Sequence, residues 1–274
     1  MSGFLNAMAA SSAERAAQAR QREPYAALER RALAREAAPT LQLSQAGFDV
    51  IAELKLRSPA AGQLADQCED LPGRVGAYAR GGAAAVSVLT EPSRFDGCLD
   101  HLARAAAVLK PFGVPAMRKD FLVDPYQVLE ARAVGAGGVL VILRMLPPSR
   151  VIELLDVAAA CGLFVLLEAF DAADLELGVR ILGERPADES LLLGINSRDL
   201  QTLEVIPERF AALAPLLPPG TPCVAESGVS TPSEARNVRD LGYRVALIGT
   251  ALMSCADPAV RLAEILDSAR NFKS

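Results

Sequence analysis

The sequence predicts an α/β fold, a (β/α)8 TIM barrel with an N-terminal helical extension, and three observations lead there. Eight short apolar runs alternate with helical patterns from about residue 50 onward. The runs consist almost wholly of Val, Ile, Leu and Ala, which is expected of strands covered on both faces, as in a parallel sheet under helices. Most of them contain, or are followed at once by, a charged, amide or small residue at the same end. An open doubly wound sheet shares the alternation, but a ring of polar strand ends is what the C-terminal face of a closed barrel produces. The chain has 274 residues, 51% of them hydrophobic, enough for one large core. One barrel over residues 49–274 is therefore expected, with residues 1–48 packed on it as a lid or plug.

Residues 1–48 read as one or two helices, with Glu23-Pro24 as a break and Pro39 ending the second. Strands are then predicted at Val50 to Leu54, Ala84 to Leu89, Val114 to Met117, Val139 to Leu143, Phe164 to Leu167, Leu191 to Ile195, Cys223 to Ala225 and Val245 to Ile248. Helical patterns follow from Arg74, Leu99, Pro125, Ser149, Ala172, Pro207, Pro232 and Pro258, the last running to Phe272. The clearest unit is Val114 to Leu143. Its first apolar run leads into Arg118-Lys119-Asp120, Asp124 is a good N-cap, Pro125 suits the first helical turn, and Gly135 suits a left-handed helix end. A right-handed crossover of this kind makes the two strands parallel neighbours and leaves Lys119 at the ligand-binding end.

Composition narrows the function classes. The formal charge of −5 is spread without blocks, so neither a nucleic-acid surface nor a polybasic membrane patch is expected. No apolar run reaches membrane-spanning length, and Arg15, Arg20 and Arg22 lie in a pattern better read as an amphipathic helix than as a leader. Cys68, Cys98, Cys161, Cys223 and Cys255 are odd in number and scattered, which predicts a reducing, cytoplasmic setting without disulfides. His101 is the only histidine, so a Ser-His-Asp triad or a multi-histidine zinc site is not expected. Ser227-Gly228 and Gly249-Thr250, after the last two apolar runs, lead to the expectation of a small phosphorylated partner, and the chain is expected to be a monomer or weak homo-oligomer.

The strand ends supply the candidate chemistry. Lys55 and Lys119 facing Glu53 and Glu168 form a set that burial and charge can tune for proton transfer. Arg198 beside Asn196 offers a planar fork for a carboxylate. Glu226 stands at another strand end, followed by Ser227-Gly228, while Gly249-Thr250 follows the last strand; loops in these positions of a barrel often bind phosphate. Phe95, Phe121 and Leu140 are candidates to wall an aromatic substrate.

With these stretches in view, the sequence resembles the indole-3-glycerol phosphate synthase family of tryptophan biosynthesis. The carriers are IAELKLRSPAAG from Ile51, SVLTEPSRFDG from Ser87, RKDFLVDPYQVLEARAVGA from Arg118, GINSRDLQTLEV from Gly194, AESGVSTP from Ala225 and LIGTALM from Leu247. The resemblance implies a lyase that closes and decarboxylates 1-(2-carboxyphenylamino)-1-deoxyribulose 5-phosphate without metal or cofactor. It implies Lys119 as general acid, with Glu168 and Glu53 as partner carboxylates and Asn196 in the same catalytic set. Lys55 would contact anionic groups of the substrate, its phosphate included. Ser58, Arg198 and Glu226 fall on substrate-binding positions, and Ser227, Gly228, Gly249 and Thr250 on phosphate positions. The sequence departs from the family pattern at Ala60, where Ser or Thr is usual, and at Ala169-Phe170, where a β-branched residue and then His or Asn are usual. It also lacks the usual Arg-Asp-Phe before Val50. A divergent, pathway-specific copy is one alternative; another phosphate-sugar barrel enzyme, or a non-catalytic phosphate-ligand binder, are others.

Overall fold

The computed structural model describes residues 3–58, 62–64, 70–186, 190–200 and 202–271. Two helices come first, α1 (Gly3–Arg22) and α2 (Tyr25–Ala34). Strand β1 (Asp49–Leu54) opens the barrel, and a two-stranded hairpin of β2 (Arg57–Ser58) and β3 (Gly62–Gln63) rises from its end. The remaining barrel strands are β4 (Ala85–Leu89), β5 (Ala116–Lys119), β6 (Gly138–Ile142), β7 (Phe164–Ala169), β8 (Leu191–Asn196), β9 (Cys223–Glu226) and β10 (Val245–Ile248). All pair in parallel with their sequence neighbours, and β1 pairs with both β4 and β10, so the sheet closes on itself. The helices are α3 (Leu71–Arg80), α4 (Pro92–Phe95), α5 (Leu99–Leu109), α6 (Pro125–Val134), α7 (Pro148–Ala160), α8 (Ala172–Gly183), α9 (Glu208–Leu213), α10 (Pro232–Asp240), α11 (Thr250–Met253) and α12 (Pro258–Arg270).

Two apolar layers hold this arrangement. Outward side chains such as Val50, Val86, Val139 and Val165 pack under helix residues Val75, Leu102, Leu129 and Leu154. Inward ones, among them Ile51, Met117, Leu140, Leu166 and Val224, fill the barrel itself. The period of two along each strand produces this division. Gly138 belongs to the same logic, since a Cβ there would lie 2.3 Å from the ring of Phe164.

Several boundaries differ from expectation for identifiable reasons. The strand expected from Val114 begins at Ala116, because Pro115 has no N–H to give and only its carbonyl joins the ladder, accepting from Val86. At their far ends β5, β7, β8 and β9 run on through Lys119, Glu168, Asn196 and Glu226, residues that pair as Leu89↔Lys119, Glu168↔Gly194 and Asn196↔Glu226. Helix α2 stops at Ala34, well before Pro39: Arg35 is extended, and the carbonyls of Arg35 and Glu36 accept from buried Arg132 on α6. Ala60, Cys68 and Phe272 lie outside the described residues. Cys98, Cys161, Cys223 and Cys255 are free thiols, and half-buried His101 lies on α5. Among the described residues, no helix is long and apolar enough to cross a membrane.

Candidate active site

The C-terminal ends of the strands surround a cavity of about 500 Å³. Each unit delivers its side chain by strand register. At the end of β5, Arg118 and the following Asp120 share one face and Lys119 takes the other, into the cavity. The two flanking residues are tied down on the outer side. Arg118, almost fully buried, donates to the Gln127 carbonyl at 2.8 Å and to Glu130 at 3.0 Å. Asp120 accepts from the Thr90 hydroxyl at 2.7 Å, from the Phe121 amide at 2.8 Å and from both terminal nitrogens of Arg15 on α1. Burial raises the pKa of the Asp120 carboxyl, but Arg118 and Arg15 outweigh it and bring it down to about 2. The strand end carrying Lys119 is therefore fixed by ionic contacts on both sides.

Inside the cavity the Lys119 ammonium is 3.3 Å from Glu226 and 3.9 Å from Glu168. Lys55 is 2.6 Å from Glu53, at the end of β1. Asn196 donates its amide to Glu168 and accepts from the Arg198 backbone at 2.9 Å. Burial favours the neutral form of Lys119, yet Glu168, Glu226 and Glu53 together outweigh it, so its pKa stands above the ordinary lysine value. Glu53 is opposed by burial in the same way, but Lys55, Lys119 and Arg198 leave its pKa below the usual carboxylate value. Glu226 goes the other way. Burial and then the charge of Glu168 push it up to about 8, against the pull of Lys119, and its Oε1 is buried without a hydrogen-bond partner. The site thus holds a charged ammonium beside carboxylates of unlike proton affinity, an arrangement suited to moving protons.

The other walls are of two kinds. Phe95, Phe121 and Leu140 form an apolar side, where the rings of Phe95 and Phe121 lie 6.2 Å apart. Opposite stand Ser227, Gly228, Gly249 and Thr250, with Ser227 and Gly228 in successive left-handed conformations, φ 64° and 78°. Ser58, on β2, and Arg198, which also donates to the Leu203 carbonyl at 2.6 Å, complete the rim. Each candidate site residue named from the sequence thus lines one cavity. Of the departures, Phe170 lines a neighbouring hollow, with the Arg144 guanidinium 4.8 Å over its ring and its amide donating to Asp174.

Sequence reasoning missed several lining residues. Phe4, on α1, meets the Phe121 ring edge-on at 5.8 Å, a contact across more than a hundred residues that no local pattern announces. Leu200, Leu203, Val205 and Pro207 form an apolar flap after β8; their spacing in a loop between charged residues was a signal. Ser230 and Glu234 also reach the cavity, but Glu234 caps α10 by accepting from the Ser230 and Thr231 amides. Among the described residues, no group of three or more His, Cys, Asp or Glu is placed to hold a metal ion.

The family model described as indole-3-glycerol phosphate synthase matches residues 5–265. The indole-3-glycerol phosphate synthase of Bordetella pertussis is 37% identical over 97% of this chain and 100% of its own length. That of Nocardioides sp. is 43% identical over 80% of each chain. Among solved structures, 3-hexulose-6-phosphate synthase from Salmonella typhimurium superposes with a TM-score of 0.60 at 14% identity, covering 81% of this chain and 98% of that one. This last likeness shows the barrel fold alone.

Proposed function

Because the chain belongs to the indole-3-glycerol phosphate synthase family, carboxy-lyases of tryptophan biosynthesis, we propose that its cavity closes 1-(2-carboxyphenylamino)-1-deoxyribulose 5-phosphate to indole-3-glycerol phosphate. One observation carries the reading: the Lys119 ammonium meets two carboxylates from other strands inside a cavity with an apolar wall on one side and a glycine- and hydroxyl-rich wall on the other.

The apolar wall of Phe95, Phe121 and Leu140 takes the carboxylated ring. Ser227, Gly228, Gly249 and Thr250 take the phosphate, with Lys55 close to the anionic groups. Ser58, Arg198 and Glu226 complete the binding set. Held so, the ring carbon that bears the carboxylate lies against the ketone carbon, and such placement replaces a costly encounter. In the first step that carbon attacks the ketone, and the oxygen takes a proton from Lys119 to become a hydroxyl. Attack costs the ring its aromaticity, so a placed acid is worth roughly two to four powers of ten in rate. Carbon dioxide then leaves, and its bonding electrons restore the ring. Dehydration follows: Lys119, reprotonated from solvent, gives a second proton to the hydroxyl, which departs as water, and Glu168 removes a proton from the carbon next to nitrogen to form the indole double bond. Asn196 orients Glu168, and the charge of Glu53 steadies the cationic intermediate. The sequence is redox-neutral and calls for no cofactor.

In the same reading residues 1–48 are a cover for the catalytic barrel of residues 49–274, supported by Phe4 in the cavity wall. The test is direct. Purified protein mixed with the carboxyphenylamino-deoxyribulose phosphate is expected to develop indole absorbance; a flat trace from folded protein would count against the synthase reading.

A further inference from the structure

Two inward-facing positions around the site lack a side chain for a reason that turns do not explain. Gly194 lies within β8, opposite Val224, and Gly249 directly follows β10, beside Glu53. Neither has the positive φ that demands glycine, and Gly249 has φ −119°. Space is the constraint. A Cβ on Gly194 would lie 2.1 Å from Oε1 of Glu226, and one on Gly249 would lie 2.3 Å from Oε1 of Glu53 and 2.8 Å from Nζ of Lys55. The blocking atoms in both places are the far ends of flexible side chains. An alanine would therefore move a charged group rather than the barrel. For Glu226 the point is sharper: Lys119 holds Oε2 at 3.3 Å, while Oε1 has no hydrogen-bond partner and rests in the hollow over Gly194.

We infer that Gly194 and Gly249 are positioning residues, bare-backbone seats over which the Glu226 carboxylate reaches Lys119 and the Glu53 carboxylate reaches Lys55. For Gly249 this is a duty beyond the phosphate contact proposed above. The inference deepens the synthase reading and rests on it. Through register, each seat lies at a strand position where the carboxylate of the neighbouring strand needs room.

The test joins kinetics to a stability cycle. In Gly194→Ala, kcat is expected to fall about a hundredfold, the scale expected of a misplacement of about one ångström. KM should change less than kcat in this variant, since the ring and phosphate walls are untouched by a methyl on Gly194. Unchanged kcat in a folded Gly194→Ala protein overturns the inference. Independently of turnover, Gly194→Ala is made in the wild-type and Glu226→Ala backgrounds and both pairs are unfolded in urea. The methyl should shift the midpoint by less than half as much where the carboxylate is gone; equal shifts overturn the seat. Should the parent protein make no indole, the synthase reading fails on that assay while the stability cycle still decides the seat.

Discussion

Replacing Lys119 with Met keeps most of the side chain's volume and removes its charge, and the consequences can be worked from the cavity. The ammonium lies 3.3 Å from Glu226 and 3.9 Å from Glu168. At an effective dielectric constant of about 20, these contacts represent gross attractions of ~5 and ~4 kcal/mol. Much of that offsets the desolvation of the lysine, and losing one member of a buried pair typically costs about 3–5 kcal/mol. The variant can recover part of this by protonating its carboxyls. Glu226 already binds its proton more tightly than an ordinary glutamate, with a pKa of about 8, and without Lys119 its pKa rises further. A carboxyl whose folded pKa is raised contributes stability that is present below its unfolded value of 4.5 and lost as pH climbs towards the folded one. Lys119→Met should thus be least destabilised near pH 5 and most near pH 9, where the deficit should approach about 3 kcal/mol. Urea unfolding at the two pH values measures this. Single-turnover assays should show a rate about 100- to 10,000-fold lower, with phosphate-ligand affinity within about twofold. Wild-type turnover would defeat the acid role, and an equal stability deficit at both pH values would refute the electrostatic account.

Two further outcomes follow from other walls of the site. Thr250→Val removes a hydroxyl from the proposed phosphate grip and should weaken phosphate-bearing ligands about tenfold by calorimetry, since a hydrogen bond to a charged group is worth about 1.5–3 kcal/mol; unchanged affinity would remove that hydroxyl from the site. Asp120, held near a pKa of 2, contributes stability that is present above its unfolded value of 3.8 and lost as pH falls to about 2. In Asp120→Asn that contribution, about 2 kcal/mol at neutral pH, should be missing, and the acid-unfolding curve should be flatter between pH 4 and pH 2; an unaltered curve would show that the network with Arg15 and Arg118 does not bear on stability.

Local chemistry that ends within one turn of chain was legible. Asp124, Pro125 and Gly135 bound α6 at the residues expected of an N-cap, a first turn and a left-handed cap, and Gln127 completes a capping box that rests on neighbours alone. Contacts that depend on partners far along the chain were not. The strands carrying Lys119, Glu168, Asn196 and Glu226 extend past their apolar runs because the adjacent strands continue to offer hydrogen bonds, and hydropathy does not encode that. For α2 the stop is imposed by Arg132, about a hundred residues away, before Pro39 can act. Phe4 and Arg15 look like ordinary positions on a surface helix until α1 is laid against the segment that follows β5.

By itself the sequence determined the alternation of strand and helix, the apolar faces and the types of reactive groups at the strand ends, because period and capping are properties of neighbouring residues. It also fixed which glycines stand in the chain, though not what each makes room for. Closure of the ring, the distances among Lys119, Glu168 and Glu226, and the unequal proton affinities of Glu53 and Glu226 were decided only in three dimensions. The physical reason is that burial and Coulomb interactions act through space, between side chains that the chain itself keeps dozens of residues apart.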